Sequence, residues 1–169
     1  MKKAAFYLIL IFLFQSCWYT GGADDGDFPY RSMYKPITQN RVDFEKTILL
    51  KEVQPIITSG KIYVKEDLIY LNELGKGFHI LDNSDPENPR PLAFLEIPLA
   101  TDLAIRDNVL YVHHAVDLVS FSYSVSNNLL VILHRERNVF PELQSPDGLG
   151  PDYYGVSEGL IVLGYQLEN

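Results

Sequence analysis

Among these 169 residues, four histidines, one cysteine and several clustered acids are the side chains whose types and spacing could do chemistry. His113 and His114 stand side by side near Asp102 and Asp117, and imidazole with carboxylate is a metal-ligand combination. Adjacent residues on a strand point to opposite faces, however, so the two rings cannot hold one ion without a bulge. The stretch Asp82-Asn83-Ser84-Asp85-Pro86-Glu87-Asn88 offers oxygen donors of the kind calcium takes. It lacks the glycine and the terminal glutamate of a helix-loop-helix calcium loop, and a strand-connecting turn accounts for it better. No Gly-x-Ser-x-Gly elbow, phosphate-binding glycine loop or His-Glu-x-x-His pattern occurs. No catalytic residue, metal ligand or cofactor site is therefore assigned, and a hydrolase would have to assemble its site from residues far apart in the chain. The 11 tyrosines, 9 phenylalanines and Trp18 would suit a glycan-stacking platform, with Tyr153 and Tyr154 the most exposed-looking pair. Core strand positions explain most of these aromatics as readily.

Cys17 is the only cysteine, so no internal disulfide can form, and its chemistry is read from what precedes it. Lys2 and Lys3 lead into an apolar run from Ala4 to Phe14, the basic and hydrophobic regions of a secretory signal. That run is shorter than the roughly 20 apolar residues a bilayer-spanning helix needs. It ends in Leu13-Phe14-Gln15-Ser16-Cys17, which resembles the lipobox of bacterial lipoproteins, with Ser16 at the cleavage position. The resemblance implies removal of residues 1–16 and acylation of Cys17. The expected location is the cell envelope, in the outer membrane, facing the periplasm or the cell surface.

Cleavage there removes two of the 14 basic side chains and none of the 22 acids, leaving 12 against 22 and a formal charge of −10. Such a surface repels nucleic acid and anionic head groups, so membrane association would come from lipid chains and not from a basic patch. Residues 17–40 read as the lipidated start and a flexible tether, because Gly21-Gly22-Ala23-Asp24-Asp25-Gly26-Asp27 combines flexibility with like charge. Residues 41–169 then form one domain. A short helix is expected within Asn40 to Leu50, where Val42, Phe44, Ile48 and Leu49 alternate with Asp43, Glu45 and Lys46.

The elements that would position any site come from an internal repeat. Lys61 to Leu71 lies over Asp102 to Val112 at a constant offset of 41, and both copies read strand, two-residue turn, strand. The turns are Glu66-Asp67 and Asp107-Asn108, of the side-chain types that tolerate the positive φ of tight hairpins. Third strands follow at Gly77 to Asp82 and Leu118 to Ser122, and fourth strands at Leu92 to Ile97 and Leu129 to His134. Four antiparallel strands in about 40 residues is the size of a propeller blade. The blade-like repeats span about 60–98 and 101–136. An irregular, proline- and glycine-punctuated loop covers 137–158, and a closing strand at 160–167 is expected, added to one of these sheets.

Gly77-Phe78-His79-Ile80-Leu81-Asp82-Asn83-Ser84-Asp85-Pro86-Glu87-Asn88-Pro89, then Asp102-Leu103-Ala104-Ile105, Asn108-Val109-Leu110-Tyr111-Val112 and Asp117-Leu118-Val119, resemble the LVIVD repeat of bacterial β-propeller proteins. With Gly60-Lys61-Ile62-Tyr63 before and Val139-Phe140-Pro141-Glu142-Leu143 after, residues 45–148 resemble the N-terminal part of LVIVD-containing lipoproteins common in Bacteroidetes. The resemblance implies a fold and a location, not a reaction. In the second copy Ser122 replaces Asp82 and Ser126 replaces Pro86, and two blades are too few to close a ring that typically needs at least four. The expectation is a mostly β chain of two four-stranded antiparallel blade-like sheets plus a closing strand, an incomplete propeller. It would act as a non-catalytic binding or scaffolding module. Its partners would be the membrane through the lipid, an envelope protein or glycan, or a second copy through exposed sheet edges. A glycan-binding accessory protein and a hydrolase with a nonlocal site are the alternatives.

Overall fold

A computed structural model describes residues 31–168, so Cys17 and the export signal lie outside the described residues. Within them the chain is mostly β, in three antiparallel sheets, none of them closed. The first sheet holds β2 (Leu49–Lys51), β3 (Ser59–Lys65), β4 (Leu68–Glu73), β5 (Gly77–Asp82) and β6 (Arg90–Glu96), in the order β2-β6-β5-β4-β3. The second holds β7 (Leu103–Arg106), β8 (Val109–His114), β9 (Asp117–Ser124) and β10 (Leu129–Glu136), in the order β10-β9-β8-β7. Both two-residue hairpins form where expected, with φ of 51° at Glu66 and 53° at Asp107.

Three expectations are corrected. The first sheet has five strands, because only Arg41–Phe44 is α-helix (α1) and only Glu45–Thr47 continues as a 3₁₀ turn. The Asn40 side chain caps this short helix by accepting from the Val42 amide, and apolar Leu49 and Leu50 then leave it to pair with Glu96 and Leu95 on β6. The tether does not reach residue 40, since β1 (Tyr34–Asn40) is a strand. The glycine- and aspartate-rich composition that argues against order stops at Asp27, and Ile37 and Thr38 favour strand. The closing strand β11 (Leu160–Leu167) joins neither large sheet; it pairs with β1 in a separate two-stranded sheet. Its Ile161 packs with Phe44, Ala115 and Val116 in a second small core, so the two segments that flank the repeats in sequence lock together at the turn between β8 and β9.

The main core lies between the two large sheets. From the first it takes Tyr70, Phe78, Ile80, Ala93 and Leu95; from the second, Leu103, Leu110, Val112, Val119 and Phe121. Matching the repeats by strand pairing shows how the sheets are stacked. Tyr70 faces Ile80 across β4 and β5, and its equivalent Tyr111 faces Ser120 across β8 and β9. Tyr70 points into the core, whereas Tyr111 points away from it. The core-facing positions of one sheet are thus the outward positions of the other, and the sheets stack front to back, as two successive units of one repeating arrangement.

Candidate functional site

The strand geometry splits the histidine pair as period-two alternation requires. His114 is fully buried, stacked on the Phe44 ring with centroids 3.9 Å apart. Arg135 Nη1 lies 3.0 Å from its Nδ1 and Thr47 Oγ1 3.2 Å from its Nε2. An arginine can only donate, so Nδ1 accepts and the ring is neutral. Burial, reinforced by the Arg135 charge, lowers its pKa to about 3. Asp117, also fully buried, accepts from Arg135 Nη1 at 2.8 Å, Arg41 Nη1 at 3.0 Å and the Asn138 amide at 3.1 Å. Burial alone would raise the Asp117 pKa; the bonds from Arg135 and Arg41 more than offset it, and the carboxylate stays charged. Arg137 completes the cluster with two bonds to Glu45, at 2.7 and 2.9 Å. These groups spend their bonding capacity on each other and fasten α1 to the second sheet. His113 faces the other way, edge-on to Phe140 with centroids 4.7 Å apart. No group of three or more His, Cys, Asp or Glu side chains among the described residues is placed to hold a metal ion.

The acid-rich stretch after β5 is a turn that caps itself. Asp82 accepts from the Ser84 amide and from Arg90, and Asp85 accepts from the Glu87 amide and Asn88 Nδ2. These backbone and arginine bonds lower the Asp82 pKa to about 2. Tyr153 and Tyr154 do not form a flat stacking row, because their rings meet edge to face with centroids 5.0 Å apart. Tyr154 Oη lies 2.7 Å from Ser32 Oγ, and the Tyr153 hydroxyl accepts from the Ser32 amide, so the pair also anchors the approach to β1.

One constellation escaped sequence reasoning. Glu73 and His79 lie on the outward face of the first sheet, in adjacent strands, with Nε2 of the ring 3.1 Å from Oε2 of the carboxylate. Both are buried, at 2% and 4% exposure. Glu73 also accepts from the amides of Ile57 at 3.0 Å and Thr58 at 2.7 Å, and these bonds outweigh burial and lower its pKa to about 2. The segment 52–58 has no regular structure of its own and is exposed throughout, so this one carboxylate fastens it to the body like a strap. A cleft of about 340 Å³ opens beside the pair, with Phe94 tilted against His79 and Gln54, Pro55, Pro98, Lys51 and Lys76 around it. The available sequence signal was Glu73, an acid two residues past the apolar run Leu68 to Leu71. What it meets depends on a loop 15 residues upstream, which no local pattern encodes.

No protein family, curated protein or solved structure matches the chain. Among the described residues no helix is long and apolar enough to cross a membrane.

Proposed function

We propose that the chain is a lipid-anchored protein of the bacterial cell envelope that acts as a non-catalytic binding or scaffolding module, with the first sheet as its working surface. The export signal and lipobox resemblance supply the address. Front-to-back stacking of two 41-residue repeats supports reading the sheets as propeller-like blades, in keeping with the LVIVD resemblance. The observation that carries the binding reading is the Glu73–His79 cleft: a preformed hollow in which the carboxylate is already saturated by two amides and a ring nitrogen. Its lining holds no serine, threonine, cysteine or tyrosine for His79 to activate, so binding is favoured over nucleophilic hydrolysis.

The address is tested by expressing the chain in a lipoprotein-processing bacterium fed an alkyne fatty acid. The wild type should carry the label and sediment with membranes, while Cys17→Ser should lose the label and its processing. An unlabelled, soluble wild type would sink the anchored reading. The hydrolase alternative is tested on the cleft itself, since it requires His79→Ala to abolish a measurable hydrolytic activity of the wild type.

A further inference from the structure

We propose that the hollow between the β8–β9 turn and β11 is a binding site for a small amphiphile with an apolar body and a positively charged end. It is separate from the Glu73–His79 cleft and shares only Gly75 with it. Its volume is about 570 Å³, within the range of small-molecule sites. Ala115 and Val116 of the turn belong to the second core, Leu99 packs against that core, and Val162 of β11 is buried beside the same space. Leu99 has φ of 64°, uncommon for a bulky residue, and its amide is held by the Gly75 carbonyl at 2.9 Å. This wall is therefore set by the fold and not by local preference. The roof is Pro141 to Gln144, and it is pinned on both sides. The Phe140 amide donates to the Val116 carbonyl at 2.9 Å, and the Tyr165 hydroxyl donates to the Leu143 carbonyl at 2.9 Å. A hollow fixed in this way costs little ordering when a ligand enters.

The lining selects the ligand. Leu99, Ala115, Val116, Pro141, Leu143 and Val162 make most of it apolar, so a small hydrophilic ion would shed water there with nothing in return. Of the polar groups, Thr101 Oγ1 and His113 Nδ1 lie 3.3 Å from each other. Burial lowers the His113 pKa, so this ring adds no positive charge at neutral pH. Glu142 and Gln144, at the rim, make no side-chain hydrogen bond or ion pair among the described residues. Glu142 is the one charged side chain of the lining, which holds no lysine or arginine. An anionic end would meet only repulsion here, and a cationic end meets an unpaired carboxylate. The neighbouring Tyr165 reports the same field. Its pKa is raised, by burial first and then by Tyr154, Glu142 and Asp147. Apolar walls with an acid at the rim fit an alkylammonium group.

The site depends neither on the lipid anchor nor on the Glu73–His79 cleft, so it is tested on the purified full-length chain in mild detergent. Hexylamine and hexanoate are the probes, equal in chain length, opposite in charge and short enough to stay in water beside the micelles. Hexylamine should shift the methyl NMR signals of Ala115, Val116 and Val162 saturably, and hexanoate should bind several-fold more weakly. Glu142→Gln should remove most of that difference. Leu143→Trp with Gln144→Trp should fill the hollow and abolish binding of both probes, while circular dichroism stays unchanged because both side chains are exposed. A wild type whose methyl signals do not respond to hexylamine overturns the proposal, and so does hexanoate bound as tightly as hexylamine. A preference left unchanged by Glu142→Gln would trace it to the acidity of the whole chain and overturn the assignment of the charged end. Shifts that persist in the filled variant would place the probe outside the hollow and overturn the site itself.

Discussion

The two large sheets are copies of one 41-residue pattern, yet they solve opposite problems. The second is covered on its core face by the first, and its buried Asp117, bonded to half-buried Arg135 and to Arg41 of α1, welds it to that helix. The first is covered fully on one face; on the other its buried acid Glu73 holds down an exposed strap, while Ile62 and Val64 stay open. At equivalent repeat positions stand Glu73 and His114, both buried, one reaching outward to a loop and the other sealed under a phenylalanine. Repetition conserves the strand frame; what each sheet meets decides whether a side chain becomes core, clamp or open surface.

The sharpest way to break this comparison is through the clamp. Asp117→Ala leaves two arginines facing each other in a largely buried site and should cost about 3–5 kcal/mol by chemical denaturation, whereas a loss under about 1 kcal/mol would show that the clamp is dispensable. Equivalent apolar positions come next. Leu103→Ala should destabilise by about 2–5 kcal/mol, and Ile62→Ala should stay within about 0.5 kcal/mol at concentrations where the chain is monomeric. Similar losses at both sites would mean that the first sheet's outer face is not open.

A smaller effect is expected at Gly77, which has φ of 142° and where an added Cβ would sit 2.0 Å from the Leu95 carbonyl oxygen. Gly77→Ala should therefore cost about 1–3 kcal/mol, since the clash is with backbone that cannot swing aside. Acid distinguishes the two sheets more gently. The pKa values of Glu73 and His114 are both depressed on folding, so the unfolded chain binds more protons as pH falls and both groups lose stability in that direction. For His114 the loss runs from about pH 6.5 to about 3, and for Glu73 from about 4.5 to about 2. Protection of α1 amides in hydrogen exchange should thus fall at higher pH than protection of the Ile57 and Thr58 amides. Glu73→Gln should act locally, speeding protease cleavage within 52–58 several-fold with little change in the global midpoint.

Much of the frame was legible in the chain itself. Short apolar runs at Leu68 to Leu71 and Val109 to Val112, with acid and amide pairs at the turns, marked both hairpins, because apolar patterning and turn chemistry are local properties. β1 and β2 were not legible: Tyr34–Asn40 carries Lys35 and Pro36, Leu49–Lys51 is only three residues long, and both become strands because β11 and β6 offer them edges. The candidate cleft was invisible for the same reason, since Glu73 acquires its partners from residues 57, 58 and 79.

By itself, then, the sequence determined the antiparallel hairpins, the 41-residue repeat, the acidic balance and the position of its one cysteine, all set by neighbours a few residues apart or by composition. The tertiary structure alone decided which face of each sheet is covered. Front-to-back stacking inverts the roles of equivalent residues, and burial depends on what stands opposite a side chain in space, which no single strand specifies.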